Sequence, residues 1–251
     1  MNRTLANGTL VTLAASALLV SSGCMVPGGS VDLTDLVTES RAVELGEAET
    51  VEVFLDTSIG DFEVRGGASG LMEADFTYNI AEWKPTVEYK ESGTRGVLTI
   101  RQPDLNSKNV PNGAKNRWDV RLAAGVPMSI YLDSAVGDVR MDLEGISIER
   151  LDVDQGVGSI EIDLGSDVER DADLNVDGGI GEIVLTLPEG VGVEVDADMG
   201  LGSFTAPGLT KRNGRYVSPE YGDAEVNIRI RVDAGIGSVT VRTGDTGRAA
   251  V

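Results

Sequence analysis

The sequence predicts an all-β fold, a β-solenoid-like stack of strand–corner–strand repeats. Three observations predict it. Six twelve-residue blocks align without gaps. Each block carries aspartate at its fourth place and glycine at its eighth. Apolar residues alternate with period two on both sides of that glycine, but the phase changes across it.

The blocks are VFLDTSIGDFEV (53–64), IYLDSAVGDVRM (130–141), LDVDQGVGSIEI (151–162), LNVDGGIGEIVL (174–185), VDADMGLGSFTA (195–206) and IRVDAGIGSVTV (230–241). Their glycines are Gly60, Gly137, Gly158, Gly181, Gly202 and Gly237; their aspartates are Asp56, Asp133, Asp154, Asp177, Asp198 and Asp233. Places one, three and seven are apolar before the glycine, and places ten and twelve after it. A straight strand with this pattern would turn half its apolar set to water. A corner at the glycine keeps both halves, place seven included, on one core, and glycine suits a corner that needs positive φ.

Four successive glycines, Gly137 to Gly202, lie 21, 23 and 21 residues apart, the scale of one solenoid rung. Equivalent strands would stack in parallel about 4.8 Å apart. The next gap fits one further rung plus an excursion through 207–229. The long first gap holds further strands at 71–80, 86–90, 97–101 and 118–122, with turns at Ser92-Gly93 and Pro111-Asn112-Gly113. The alternative is an antiparallel sandwich in which each D-x-x-x-G is a hairpin loop; the phase change and even spacing favour the stack. No long run has the period of a helix.

Composition narrows function. The 251 residues include 41 acidic and 21 basic side chains, a formal charge of −20, no histidine and one cysteine. Absence of histidine excludes a Ser–His–Asp triad and an HExxH zinc site. One cysteine excludes an internal disulfide and a four-cysteine metal site. The negative charge argues against a nucleic-acid partner. No cofactor, metal site or catalytic set is expected.

The N-terminus reads as an export signal over 1–23. Arg3 precedes an apolar run from Leu10 to Val20, too short to span a bilayer, and Ser21-Ser22-Gly23-Cys24 follows. These residues resemble a bacterial lipobox. The resemblance implies cleavage before Cys24, a lipid on Cys24 and a membrane-anchored protein of the cell envelope. Met25 stands where inner-membrane lipoproteins carry aspartate, which favours the outer membrane in a Gram-negative cell. An ordinary signal peptide cut nearby would leave Cys24 a free thiol instead. Beyond the signal, the reading is a tether at 24–40, an N-terminal β region at 41–128, the repeat region at 129–243 and a flexible tail at 244–251.

The stretch ESRAVEL (39–45), followed by GGASGLMEADFTYNIAEWKPTVEY (66–89), resembles the N-terminal part of the toast-rack domains, bacterial envelope proteins of unknown function. The segment GIGEIVLTLPEGVGVEVDADMGLGSF (179–204) resembles the C-terminal β-repeat region of LiaF-like envelope-stress proteins and related adhesin-like domains. The likeness spans most of residues 39–242. It implies a stacked β-repeat fold and no catalytic residues.

Four features are weighed as sites. The six aspartates fall on the outward parity, one per rung. They suit Asx-turns, in which each carboxylate accepts from the amide two residues on. The rival is a calcium ladder, but the second aspartate of calcium-binding repeats is missing: Ser159, Glu182 and Ser203 follow the glycines. Trp83 and Trp118, with Tyr78 and Tyr89, read as core, or, if exposed, as a sugar-stacking platform. Lys211, Arg212 and Arg215, with Tyr216 and Tyr221, form a basic patch that reads as an exposed Asn213-Gly214 hairpin, or as a loop meeting anionic lipid, teichoic acid or a partner. A glycosidase-type carboxylate pair has no specificity among 41 acidic residues.

The expected function is therefore a non-catalytic envelope scaffold or interaction module, linked to stress or adhesion, with an envelope protein or a glycan as partner. The alternative is a glycan-binding or polysaccharide-active solenoid. A glycan site would show a groove with exposed aromatics and converging carboxylates on one sheet face. A scaffold would show a featureless face and a sticky edge.

Overall fold

Every block bends at its glycine into an entry arm and an exit arm, and the six bends lie in register. The computed structural model describes residues 32–103, 110–166 and 168–244. In the first three blocks the two arms are separate strands. These are β2 (Thr50–Ile59) with β3 (Asp61–Ala68), β8 (Met128–Val136) with β9 (Val139–Asp142), and β10 (Ile148–Val157) with β11 (Ile160–Asp163). In the last three, one continuous strand makes both arms: β12 (Ala172–Leu187), β13 (Gly192–Thr205) and β16 (Asn227–Thr243). The other strands are β1 (Val37–Val43), β4 (Met72–Tyr78), β5 (Thr86–Ser92), β6 (Arg95–Arg101), β7 (Asn116–Ala123), β14 (Thr210–Arg212) and β15 (Arg215–Val217). A single 3₁₀ turn, Ala81–Trp83, is the only helical segment among the described residues, and none of their helices is long and apolar enough to cross a membrane.

The rungs pair in parallel, place for place. Val53 faces Ile130, Ile130 faces Leu151, Leu151 faces Leu174, Leu174 faces Ile230 and Ile230 faces Val195. The entry-arm layer continues from β2 through β6 to β5, and the exit-arm layer from β3 through β7 and β4 to β1. The all-β stack is the fold read from the repeats. Its order differs from the chain order, however: β16 lies between β12 and β13. The excursion 207–229 explains this. It folds β14 and β15 against β13, Glu194 facing Val217 and Val195 facing Tyr216, and so covers the edge where a sixth sequential rung would stack.

Places one and three of the entry arms and ten and twelve of the exit arms meet between the layers. Leu151, Val153, Ile160 and Ile162 show this for the third block, each at most 2% exposed. One buried apolar cluster runs from Val43 to Val241, unbroken across residue 128. Each large aliphatic removed from water contributes about 1.5–3 kcal/mol, and this repeated burial holds the two layers together.

The corner itself is made by backbone. The six glycines have φ between +143° and +156°. Along the column Gly60, Gly137, Gly158, Gly181, Gly237, Gly202, a Cβ added to any glycine after the first would collide with the carbonyl oxygen of the one before it. At Gly60 it would meet Asn116. A second column at place six, Ala135, Gly156, Gly179, Gly235 and Gly200, is almost as tight.

Place seven is a correction. Val136, Val157, Ile180, Ile236 and Leu201 do not join the core; they are 44–69% exposed. The Cβ directions at places six and eight both point along the stack into the neighbouring rung. The residue between them therefore stands at the vertex, outside the space that the layers enclose. Cys24 and the tail from 245 onward lie outside the described residues, as does the signal at 1–23.

Candidate functional site

The outer face of the entry-arm layer carries the unusual chemistry. Place four puts Asp56, Asp133, Asp154, Asp177, Asp233 and Asp198 side by side on six neighbouring strands, in that order. Adjacent parallel strands are about 4.8 Å apart, so these carboxylates form one continuous row. Arg101 Nε donates to Asp56 at 2.9 Å and closes one end. Among the described residues, the other five aspartates make no ion pair and accept no hydrogen bond.

The Asx-turn role expected for these aspartates is thus not what the structure contains. The strand stays extended through place four, so no amide turns back towards the carboxylate. Nor is any group of three or more acidic side chains among the described residues placed to hold a metal ion.

Charges elsewhere on the outer surfaces are matched across strands. Arg65 contacts Asp119 at 2.6 Å, Arg117 contacts Glu63 at 2.7 Å, Arg140 contacts Glu161 at 3.0 Å and Arg229 contacts Asp173 at 2.6 Å. The aspartate row stands apart because its neighbours are its own kind. Desolvation first, then Asp154 and Asp56, raise the carboxyl of Asp133 above the ordinary aspartate range. Desolvation, then Asp233 and Asp154, raise that of Asp177, partly offset by Arg231.

The sign of this effect is testable. A raised folded-state pKa means that the folded chain binds protons more readily than the unfolded one. The charged row therefore lowers stability at neutral pH, and the cost is relieved as pH falls through the raised values. Asp177→Asn should stabilise at pH 7 by about 0.5 kcal/mol, the scale of a surface substitution. The gain should close as pH approaches about 3.9, the ordinary aspartate value, and shrink in high salt. Thermal denaturation across pH and salt checks it; a gain that persists in acid would contradict the repulsion.

Beside the row, at place two, lie Phe54 and Tyr131. Their rings stack 4.8 Å apart with planes 9° from parallel, and Phe54 is 36% exposed. Between the two places runs a trough of about 650 Å³ that crosses the strands from Thr99 and Arg101 on β6 to Arg231 and Asp233 on β16. Neither aromatic stands out in the sequence, although both sit on the outward parity of the repeat. The two tryptophans are core: Trp83 and Trp118 are at most 1% exposed. Tyr78 is buried too, its hydroxyl donating to Glu39 at 2.9 Å. That hydroxyl is held up at about 12 by desolvation and by the Glu39 carboxylate.

The basic segment forms the β14–β15 hairpin. Asn213 and Gly214 both have positive φ, 49° and 91°, as a two-residue turn of the primed type requires. Arg215 reaches Glu194 at 3.0 Å and Asp196 at 3.6 Å, and the Tyr221 hydroxyl donates to Glu194 at 3.3 Å. Lys211 sits 4.9 Å from the Tyr216 ring centroid, and Tyr216 packs on Phe204. Most of this cluster is engaged in capping β13; Arg212 is exposed at the hairpin tip.

Residues 33–186 match the family described as the N-terminal domain of toast_rack, DUF2154, which covers more than half of the chain. The chain belongs to the toast-rack family. Residues 135–241 of this toast-rack protein also match the C-terminal region described as cell wall-active antibiotics response LiaF. A solved structure of a "putative cell adhesion protein" from Clostridium sporogenes is 30% identical, with TM-score 0.81, covering 84% of this chain and all of that one. A "putative adhesin" from Bacteroides fragilis is 12% identical over 82% of this chain and 97% of its own, with TM-score 0.33. No curated protein matches.

Proposed function

We propose that this toast-rack protein is a non-catalytic interaction module of the cell envelope, exported and held at a membrane by a lipid on Cys24. The observation that carries the reading is the Clostridium sporogenes relative, which this chain matches along that protein's whole length and which is described as a "putative cell adhesion protein". The LiaF-like match supports the envelope as the setting and response to cell wall-active antibiotics as the occasion. The chemistry of the surface agrees with binding. The entry-arm face offers a wide open trough lined by acceptors and two aromatic rings.

The anchor is tested directly. Cys24→Ser should abolish incorporation of labelled fatty acid and move the protein from the membrane fraction to the soluble one. Labelling that survives the substitution overturns the anchor at Cys24.

A further inference from the structure

We propose that the trough on the entry-arm face binds an extended glycan carrying free amino groups, a polyglucosamine-type chain laid across the rungs. The proposal rests on the interaction-module reading and names the ligand class of that module's binding face.

Three features of the trough converge on this class. The first is the aromatic stack. Phe54 and Tyr131 come from blocks 77 residues apart, yet pair at place two on adjacent strands. Because the rings stack on each other, each gives one face to its partner and has at most the other for the C–H face of a pyranose or for a cation. The second is charge. The place-four wall is a row of carboxylates of which, among the described residues, Asp56 alone is ion-paired, with Arg231 near enough to Asp177 to act on it. That wall repels uronates, teichoic acids and other phosphate polymers. It attracts ammonium groups, whose several N–H donors find acceptors on successive rungs. The third is hydrogen-bonding type. Asp152 accepts from Arg150 at 2.8 Å and from Asn175 at 2.7 Å, which fixes it in the opposite wall. Six carboxylates line the trough against two arginines, Arg101 and Arg231, a balance that suits a ligand rich in hydroxyl and ammonium donors.

Geometry favours a glycan over a basic peptide. The trough lies on a sheet face, where the strands' backbone groups are already paired with each other, so an extended peptide gains no ladder bonds there. Same-side side chains of an extended peptide repeat every ~6.8 Å, twice the strand rise, against ~4.8 Å for the carboxylate row. The two fall out of step within a few rungs.

The test uses the whole chain carrying Cys24→Ser, titrated calorimetrically with a fully N-deacetylated glucosamine hexamer, its N-acetylated counterpart and hexalysine. The glucosamine hexamer should bind. Tyr131→Ala and the double variant Asp154→Asn, Asp177→Asn should each weaken it by about tenfold or more, with thermal midpoints that show both variants folded. The acetylated hexamer should bind about tenfold more weakly or not at all. No binding of the glucosamine hexamer overturns the proposal. Equal binding of the acetylated chain overturns its charge basis, and hexalysine binding as tightly, with no effect of Tyr131→Ala, shows a general polyanion instead. A protein that stays in the membrane fraction when its Cys24 is intact, yet ignores the hexamer, refutes the ligand and leaves the anchored module standing.

Discussion

Gly181→Val should be the most damaging single substitution in the stack, enough to leave little folded protein. Two independent costs meet there. The φ of Gly181 is +156°, outside the regions that a β-branched residue adopts, and strain of that kind costs about 1–3 kcal/mol. The added Cβ would also overlap the carbonyl oxygen of Gly158. That oxygen belongs to a rung fixed on both sides by parallel pairing, so it cannot yield without moving its neighbours. Overpacking of a rigid site adds about 1–3 kcal/mol. At their upper values the two terms together reach the lower end of the total stability of a typical domain, about 5–15 kcal/mol.

Gly93→Val separates the terms. Gly93 has φ +62° and nothing within 4 Å of its Cβ position, so valine there meets backbone strain without a collision. Chemical denaturation of both variants in the Cys24→Ser background should place Gly181→Val well below Gly93→Val. Coincident midpoints would mean that the rungs do not stack glycine on glycine.

These glycines were legible in the sequence because residue type and parity agree at one place in six blocks. The residue just before them was not. An aliphatic at place seven has the same parity as the core positions Val153 and Leu151, and only the backbone at the vertex decides that Val157 leaves the core. The aspartates misled for a related reason. Asp-x-x-x-Gly is compatible with a turn, and only the extended strand through Asp154 shows that the carboxylate lies flat in a row. Rung order was illegible on other grounds. All six blocks carry compatible places, so any one can neighbour any other by pattern alone. The position of β16 is set by what 207–229 covers. Recognition of the Phe54–Tyr131 stack needed that same knowledge of neighbours, since place two is otherwise Asp152, Asn175, Asp196 and Arg231.

Trp118→Ala should carry the second largest cost, about 3–5 kcal/mol for a large buried aromatic. Trp118 is fully buried in β7, where Phe76 faces it from β4 and Phe62 from β3. Both contacts are edge-to-face, at 5.2 Å and 4.9 Å. Its indole Nε1 donates to Asn116 Oδ1 at 3.1 Å, and Asn116 Nδ2 donates to the Ile59 carbonyl at 2.7 Å. Ile59 precedes Gly60, the first glycine of the column, so the tryptophan braces the end of the stack as well as filling its core. Trp118→Phe distinguishes the two roles. It keeps an aromatic between Phe62 and Phe76 but leaves Asn116 Oδ1 without its donor, a loss of about 1–3 kcal/mol when the acceptor is buried. Denaturation can be followed through Trp83, the remaining buried tryptophan. The alanine variant should unfold at clearly lower denaturant than the phenylalanine variant, and both below the parent. If alanine costs no more than phenylalanine, the packing of β7 against β3 and β4 contributes nothing and the hydrogen-bonded bridge to the glycine column is what secures that end.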